Sequence, residues 1–254
     1  MRYAIANWKM NPPTREEAVK VFSTLSSLLR PIHGVTVAVC PPFVWLGEFS
    51  RISRPHAKLA LGAQDVFWME QGAFTGEVSH PMLKSLGASY VIIGHSERRQ
   101  HFGESNEMVA KKLAAVLDAG FHAVLCVGET TREGKWQDFL KEEFKTALLA
   151  VKPKTLLRLI VAYEPVWAVS TSVEWRADTP EDARASAIFL RRMLQDSFGE
   201  TAARAVPILY GGSVNRSNIE GFAALEEISG ALVGHASLDP VEFSEIVKIL
   251  AHQK

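Results

Sequence analysis

Two apolar segments of this chain each end on a side chain that can transfer a proton. Val91–Gly94 leads into His95, and Leu159–Tyr163 leads into Glu164. Short β-branched segments of this length are typical of buried strands, and parallel α/β folds place their reactive groups at the carboxyl ends of such strands. The two segments therefore offer an imidazole and a carboxylate to one site, a pairing suited to acid–base chemistry.

The residues that follow Glu164 favour a role as general base. Pro165 ends the strand and fixes the direction in which the chain leaves it. Burial of the carboxylate under Trp167 would desolvate its ionised form and make it a stronger base. His95 could then polarise a carbonyl or pass a proton between oxygens.

A local positive charge follows the first apolar segment, where Asn7 and Lys9 stand at its end. Lys9 is either a surface lysine or a group that binds an anionic substrate, and its place at a strand end favours the second role. Glu97 could pair with such a cation and hold it in place. Alternatively, Glu97 joins Arg98 and Arg99 in a solvated network, and for the two arginines this structural role is favoured.

A candidate anion site lies near the end of the chain. Gly211–Ser213 precedes a short predicted helix and resembles the phosphate site that barrels build from their last loops, where backbone N–H groups and a helix N-terminus meet the anion. Gly234 and His235 offer a second set of donors after the last strand. Glycine pairs also occur in ordinary tight turns, so one such set is weak evidence for an anion site. Two sets of donors after neighbouring strands are stronger evidence.

Apolar runs that alternate with amphipathic stretches predict repeated strand–helix units. We expect strands at Tyr3–Asn7, Val35–Cys40, Lys58–Gln64, Tyr90–His95, Ala123–Gly128, Leu157–Glu164, Pro207–Tyr210 and Ala231–Gly234. The clearest helices are Arg15–Leu29, Asn106–Ala119, Trp136–Ala150, Pro180–Phe198 and Pro240–His252, several of which begin at capping residues.

This alternation predicts an α/β fold with a single (β/α)8 barrel domain over residues 1–254. The rival is an open, doubly wound sheet, which usually carries G-x-G-x-x-G after its first strand. Here the first strand is followed by Trp8–Pro13, which contains no glycine. The barrel is therefore favoured.

Composition excludes several classes of partner. Lys+Arg and Asp+Glu number 28 each, so no overall field favours nucleic acid or an anionic membrane. Cys40 and Cys126 each close an apolar run, as buried free thiols of a reducing compartment do, although a disulfide between them stays open. The short, soon polar N-terminus does not resemble a signal peptide, and no stretch is long enough to span a bilayer. We expect a cytoplasmic location.

Taken together, these residues resemble the triosephosphate isomerase family over nearly the whole chain. The matching segments are Asn7–Asn11, Gly94–Arg99, Ala162–Ala168 and Tyr210–Val214. The resemblance implies a (β/α)8 TIM barrel that interconverts dihydroxyacetone phosphate and D-glyceraldehyde 3-phosphate in glycolysis and gluconeogenesis, without cofactor or metal.

The resemblance also implies roles for individual residues. Glu164 is the base that moves a proton between adjacent carbons, His95 is the neutral electrophile on the carbonyl, and Lys9 with Asn7 binds substrate and stabilises the enediolate. Glu97 corresponds to an acid behind that lysine, and Cys126 to a packing position. Phosphate contacts fall on Ser170, Ser213, Gly234 and His235. The segment Gln71–Glu77 resembles a loop that enters a partner subunit, which implies a homodimer with Thr75 near the neighbour's site.

The chain departs from the family pattern in the residues that the resemblance assigns to the phosphate end of the substrate. Ser170–Ser172 replaces a Gly-Thr-Gly lid, the following stretch to Asp178 is longer, and His235 stands where a second glycine is common. Serine adopts fewer backbone angles than glycine, so we expect slower lid closure and more loss of the enediol phosphate to methylglyoxal. Isomerisation of a tetrulose phosphate and a non-catalytic phosphate-binding barrel are the alternative functions.

Overall fold

A computed structural model of the chain describes residues 1–52, 59–149, 151–168 and 178–253. Its parallel strands form a closed barrel in which each strand pairs with the next along the chain and the last pairs with the first. The strands are β1 (Arg2–Asn7), β2 (Val35–Cys40), β3 (Leu59–Ala63), β4 (Ala88–Ile93), β5 (His122–Val127), β6 (Leu159–Tyr163), β7 (Ile208–Tyr210) and β8 (Gly230–Val233). The predicted (β/α)8 barrel is confirmed.

Helices follow the strands around the outside of the barrel. They are α1 (Arg15–Leu29), α2 (Phe43–Ile52), α3 (His80–Ser85), α4 (Ser96–Phe102), α5 (Asn106–Asp118), α6 (Trp136–Leu148), α7 (Pro180–Phe198), α8 (Glu200–Ala205), α9 (Ile219–Ala223) and α10 (Pro240–His252). Short 3-10 turns occupy Pro153–Arg158, Val166–Ala168 and His235–Leu238.

Local capping chemistry sets the ends of the long helices. The side chains of Thr14, Thr179 and Asp239 accept hydrogen bonds from backbone N–H groups in the first turns of α1, α7 and α10. These three helices have the predicted bounds. Gly120, with φ +87°, follows the end of α5 as expected of a C-terminal glycine.

Several predicted element ends are corrected by the structure. The strands predicted to include His95, Gly128, Glu164 and Gly234 end before those residues, because the backbone pairing stops at the last apolar position. The start predicted at Leu157 is a 3-10 turn, and α6 ends at Leu148. Lys58 and Ala150, the predicted ends of a strand and a helix, lie outside the described residues.

Alternate residues along the strands supply separate cores. One set fills the inside of the barrel, and the other packs against the helices. The interior set consists of Ile5, Ala38, Cys40, Tyr90, Ile92, Val124, Cys126, Ile160, Ala162, Leu209 and Leu232. The inside of the barrel is therefore a packed core and not a pore. Among the helices described, none has the length and apolarity needed to cross a bilayer.

Candidate active site

A polar cavity opens at the carboxyl ends of the strands. Residues at the ends of β1, β4, β6, β7 and β8, or just beyond them, surround it. They are Asn7, Lys9, His95, Glu164, Gly211, Gly212, Ser213, Val214, Leu232, Gly234, His235 and Ala236. The predicted residues that the structure describes at this rim are thus brought together, apart from Glu97 and Cys126, which lie behind the lining.

The His95 ring is held in one tautomer by the helix that it caps. Its Nδ1 accepts a hydrogen bond from the Glu97 backbone N–H, 3.2 Å away, at the start of α4. A ring nitrogen that accepts carries no proton, so the proton of the neutral ring lies on Nε2. Because His95 is buried at 6% exposure, this Nε2–H is directed at the inside of the cavity rather than at solvent.

The Glu164 carboxylate faces that N–H directly. Its Oε1 lies 3.2 Å from His95 Nε2, and its Oε2 accepts the Ser96 backbone N–H at 3.3 Å. The residue is 2% exposed, so bulk water does not solvate the carboxylate. An acid–base pair in contact and shielded from water can exchange protons with a carbon compound that enters between them.

The side chain of Glu164 is packed against a glycine after β7. A Cβ on Gly211 would lie 2.7 Å from Glu164 Cγ and 3.5 Å from its Oε1. Gly211 also donates its N–H to Tyr163 O at 2.8 Å, which ties the ends of β6 and β7 together. The absence of a side chain at this position therefore leaves the room that Glu164 occupies.

Lys9 is fixed in the cavity by both its backbone and its side chain. Its φ is +53°, rare for a non-glycine residue. The backbone N–H donates to Asn7 Oδ1 at 3.1 Å and the carbonyl accepts from Gln64 Nε2 at 2.8 Å. Its Nζ lies 2.6 Å from Glu97 Oε1, so Glu97 is paired with Lys9 as predicted.

The predicted anion donors lie at the opposite side of the cavity from α4. A Cβ on Gly234 would lie 3.4 Å from Lys9 Cε, so this backbone passes close to the lysine. His235 is exposed at the rim and begins the last 3-10 turn. It is one of the residues that line the cavity.

Two features of this anion region differ from the prediction. The Ser213 N–H donates to Ala168 O at 3.3 Å, so it is already engaged, and α9 begins only at Ile219. The helix does not follow Gly211–Ser213 directly because Asn215 and Asn218 form a hydrogen-bonded turn between them. The predicted short helix is therefore present, but it begins six residues beyond Ser213.

The sequence placed Glu129 at a strand end but gave no role to it, and the structure shows that it holds the aromatic side chains beside the base. Glu129 Oε1 accepts from Tyr163 Oη at 2.7 Å and from Trp167 Nε1 at 3.2 Å. Arg132 pairs with the same oxygen at 3.1 Å. A carboxyl directly after a predicted strand, followed by an arginine, was the available signal.

Cys126 is buried next to Glu164, and burial together with that carboxylate raises the pKa of its thiol well above its ordinary value.

The two arginines after Glu97 pair with carboxylates of the protein interior and do not form a solvated network. Arg98 pairs with Asp65 at 2.9 Å and Glu104 at 2.8 Å, and Arg99 pairs with Glu143 at 2.9 Å. The three acidic partners are buried. They lie far from the arginines in sequence, apart from Glu104, which is why the pattern alone did not reveal them.

Other predicted residues lie apart from this cavity or outside the described part of the chain. Thr75 is exposed on the loop between β3 and α3. Ser170 and the lid as far as residue 177 fall outside the described residues. Within the described ranges, no group of histidine, cysteine and acidic residues could hold a metal ion.

Comparison with known proteins agrees with this geometry. The family model described as triosephosphate isomerase matches residues 2–250. The triosephosphate isomerase of Caldanaerobacter subterraneus subsp. tengcongensis is 43% identical over 244 residues, which cover 95% of this chain and 96% of the relative. That of Moorella thermoacetica is 44% identical over 247 residues, 95% of each chain. That of Dictyoglomus turgidum is 41% identical over 248 residues, 96% of this chain and 97% of the relative. The chain belongs to the triosephosphate isomerase family.

Proposed function

We propose that this chain, as a single barrel domain, interconverts dihydroxyacetone phosphate and D-glyceraldehyde 3-phosphate, with Glu164 as base, His95 as electrophile and Lys9 as the cation. The observation that carries the proposal is the contact of His95 Nε2 with Glu164 Oε1 at 3.2 Å inside a cavity that also contains Lys9. An N–H donor, a carboxylate and an ammonium group at one point are the set that an enolisation requires.

The proton and electrons move through these groups as follows. Glu164 takes a proton from C1 of the ketose, the C1–H electron pair forms the C1=C2 bond, and the carbonyl electrons move to O2. The His95 Nε2–H and the Lys9 ammonium stabilise the charge on that oxygen. After a proton passes between O1 and O2 by way of His95, protonated Glu164 returns its proton to C2 and the aldose forms. No cofactor or metal is needed.

Substrate must replace the contact that the two catalytic groups make with each other. His95 Nε2 and Glu164 Oε1 are each other's partners, and Ser96 N–H holds the second carboxylate oxygen. A carbonyl oxygen on Nε2 would displace the carboxylate toward the adjacent carbon, where the proton to be removed is attached. Asn7, which supports the Lys9 backbone, keeps the ammonium on the oxygen side.

Phosphate binding is assigned to Ser213, Gly234 and His235, with Ser170 from the lid. The Lys9 side chain lies beside Gly234 and lines the same cavity as His95, so one cation serves both the phosphate and the developing oxyanion. The Ser213 N–H exchanges its bond to Ala168 O for one to a phosphate oxygen, which requires a small shift of either loop. Gly234 has no side chain of its own, and Lys9 Nζ lies 3.8 Å from the position that a Cβ there would take.

A homodimer completes the proposal. The loop that carries Thr75 also exposes apolar side chains, with Phe74 at 43% and Met69 at 45%, and Met82 on α3 is 54% exposed. Large apolar side chains gathered on one surface are typical of an interface. We assign this surface to a second copy of the chain, with Thr75 near the neighbour's cavity.

Glu164→Gln tests the assignment of the base. The amide cannot accept the carbon-bound proton, so kcat should fall by roughly 10³-fold or more while the substituted protein stays folded. Glu142→Gln on the exposed side of α6 is the matched control. Retention of kcat in Glu164→Gln would refute the mechanism, and a higher kcat/KM for the tetrulose phosphate than for the trioses would refute the substrate.

A further inference from the structure

A buried ion pair lies behind the catalytic groups, outside the substrate cavity. Arg99 on α4 and Glu143 on α6 meet with Nε and Oε1 2.9 Å apart, and their side chains are 16% and 5% exposed. A small space lined by both residues, Cys126 and Glu164 separates the pair from the base. Neither residue lines the substrate cavity, so neither touches substrate.

Arg99 is attached to the strand end that carries His95. Its Nε donates to the carbonyl of Gly94 at 2.8 Å, and Gly94 directly precedes His95. Gly94 has φ +70°, and a Cβ there would lie 3.0 Å from Arg99 Nη2. The guanidinium therefore rests against the backbone turn from which the imidazole extends.

Glu143 is attached to the strand ends that carry Glu164. Its Oε2 accepts the N–H of Gly128 at 2.9 Å, just beyond β5. A Cβ on Gly128 would lie 1.8 Å from the Glu164 carbonyl oxygen, so the two backbones are in direct contact. The Glu164 N–H in turn donates to Val127 O at 2.8 Å.

We propose that the Arg99–Glu143 pair positions the acid–base pair: it fixes the separation of His95 and Glu164 by linking Gly94, which precedes His95, to Gly128, whose backbone contacts that of Glu164. The proposal rests on the catalytic roles proposed above for those two residues. The bridge runs from Gly94 through the two charged side chains to Gly128, and every step in it is a contact of 2.9 Å or less.

The energetics of burial agree with a positioning role. Burial raises the pKa of Glu143 to about 7, against the opposing pull of Arg99 and of the Gly128 N–H. A buried ion pair contributes little net stability compared with an apolar pair of the same volume. The charged pair instead fixes geometry. Its hydrogen bonds to backbone groups beyond β4 and β5 hold these two strand ends at a set distance.

The double variant Arg99→Met/Glu143→Met tests the proposal without leaving an unpaired buried charge. We expect a folded protein with KM within about two-fold of the original and kcat lowered roughly 10- to 100-fold, because misplacement of reacting groups by about 1 Å has effects of that size. Affinity for a phosphorylated hydroxamate, a mimic of the enediolate, should fall by the same factor. Inhibition by inorganic phosphate should not change, because the phosphate region lies across the cavity.

Arg191→Met is the matched control. Its guanidinium also donates to backbone carbonyls, those of Ala203 and Val206, but next to α8 and the amino end of β7. This variant should lose stability and keep kcat. Glu143→Gln, which keeps an oxygen for Gly128 and loses the charge opposite Arg99, should show a kcat between those of the original and the double variant.

Three outcomes decide the matter. Unchanged kcat and hydroxamate affinity in the double variant would overturn the inference while leaving the proposed function intact, provided that Glu164→Gln is still inactive. Full activity of Glu164→Gln would overturn the proposed function and the inference with it. If the double variant does not fold, unchanged kcat in Glu143→Gln overturns the inference and a lowered kcat at constant KM supports it.

Discussion

A single methyl group after β7 should disable the base without unfolding the barrel. In Gly211→Ala the new Cβ would lie 2.7 Å from Glu164 Cγ, 3.5 Å from its Oε1 and 3.2 Å from Tyr163 O. Ordinary carbon contacts begin near about 3.5 Å. The flexible Glu164 side chain must therefore move by roughly 0.8 Å or more to restore contact distance, while the Tyr163 carbonyl needs to give only a few tenths of an ångström.

The size of the effect follows from that displacement. Misplacement of a reacting group by about 1 Å costs on the order of 10²-fold in rate, which equals about 2.7 kcal/mol of activation free energy. The unfolding free energy should change much less, by about 1 kcal/mol, because one methyl group is accommodated at a side-chain contact. We therefore expect a large loss of kcat with a small shift of Tm.

Steady-state kinetics in both directions would measure the loss of kcat, and thermal unfolding at fixed protein concentration would measure the shift of Tm. Gly47→Ala in α2 is the matched control, because a Cβ there meets nothing within 4 Å. It should raise stability by up to about 1 kcal/mol through helix propensity and leave kcat unaltered. A Gly211→Ala enzyme with kcat within about two-fold of the original would refute the packing argument.

Three further substitutions probe the charges around the site. Glu97→Gln removes the anion that lies 2.6 Å from Lys9 Nζ, and kcat/KM measured with the triose phosphates should fall about ten-fold, the loss of one charged hydrogen bond. Lys112→Met removes a buried ammonium 2.7 Å from Asp65, and urea unfolding should show a loss of roughly 3–5 kcal/mol, since the carboxylates around it stay buried. In Asp178→Asn the stability should become less dependent on pH. Burial raises the pKa of Asp178 to about 7, so the folded form holds the proton more tightly than the unfolded form.

The sign of the last effect follows from proton binding. Between the unfolded and folded pKa values the folded state holds more protons, so the contribution of Asp178 to stability is present at low pH and is lost as pH rises through about 7. The Tm of Asp178→Asn relative to the original should therefore rise between about pH 4 and about pH 8. A Tm difference between the two proteins that stays constant across that range would contradict the role assigned to Asp178.

The variants Glu97→Gln and Lys112→Met each have a control. Glu48→Gln breaks the exposed Arg15–Glu48 pair and should leave kcat/KM unaltered, so an equal loss in both variants would remove the assigned role of Glu97. Lys152→Met breaks the exposed pair with Asp118 and should cost less than about 1 kcal/mol. Stability losses of the same size in Lys112→Met and Lys152→Met would contradict the burial argument.

The sequence predicted those parts of the fold whose signals are local. The bounds of α1, α7 and α10 followed from capping residues next to long amphipathic runs. No bounds were predicted for the helices α2, α3, α4, α8 and α9, because most span less than two turns and show too little periodicity. Strand ends were misplaced by one or two residues where the reactive residue stands beyond the last backbone pair.

For the candidate site, residue types were predictable and contacts were not. His95, Glu164 and Lys9 stand directly after apolar runs, so their convergence follows from barrel geometry alone. The Ser213–Ala168 hydrogen bond and the Arg99–Glu143 pair join segments remote in sequence. Which of many possible partners such groups find depends on the tilt and spacing of helices around the barrel, and neither is encoded in a local pattern.

Buried cysteines inside the barrel allow separation of its strands to be followed by chemical labelling. Cys40 and Cys126 are both free, and both belong to the interior set rather than to the helix-facing layer. Burial raises the pKa of each thiol, so the folded chain presents no thiolate to an alkylating reagent. Cys126 also lines the small space beside Glu164, whereas Cys40 is packed among interior side chains. Alkylation of Cys40 therefore requires separation of the strands, and its rate under native conditions reports how often β2 separates from its neighbours.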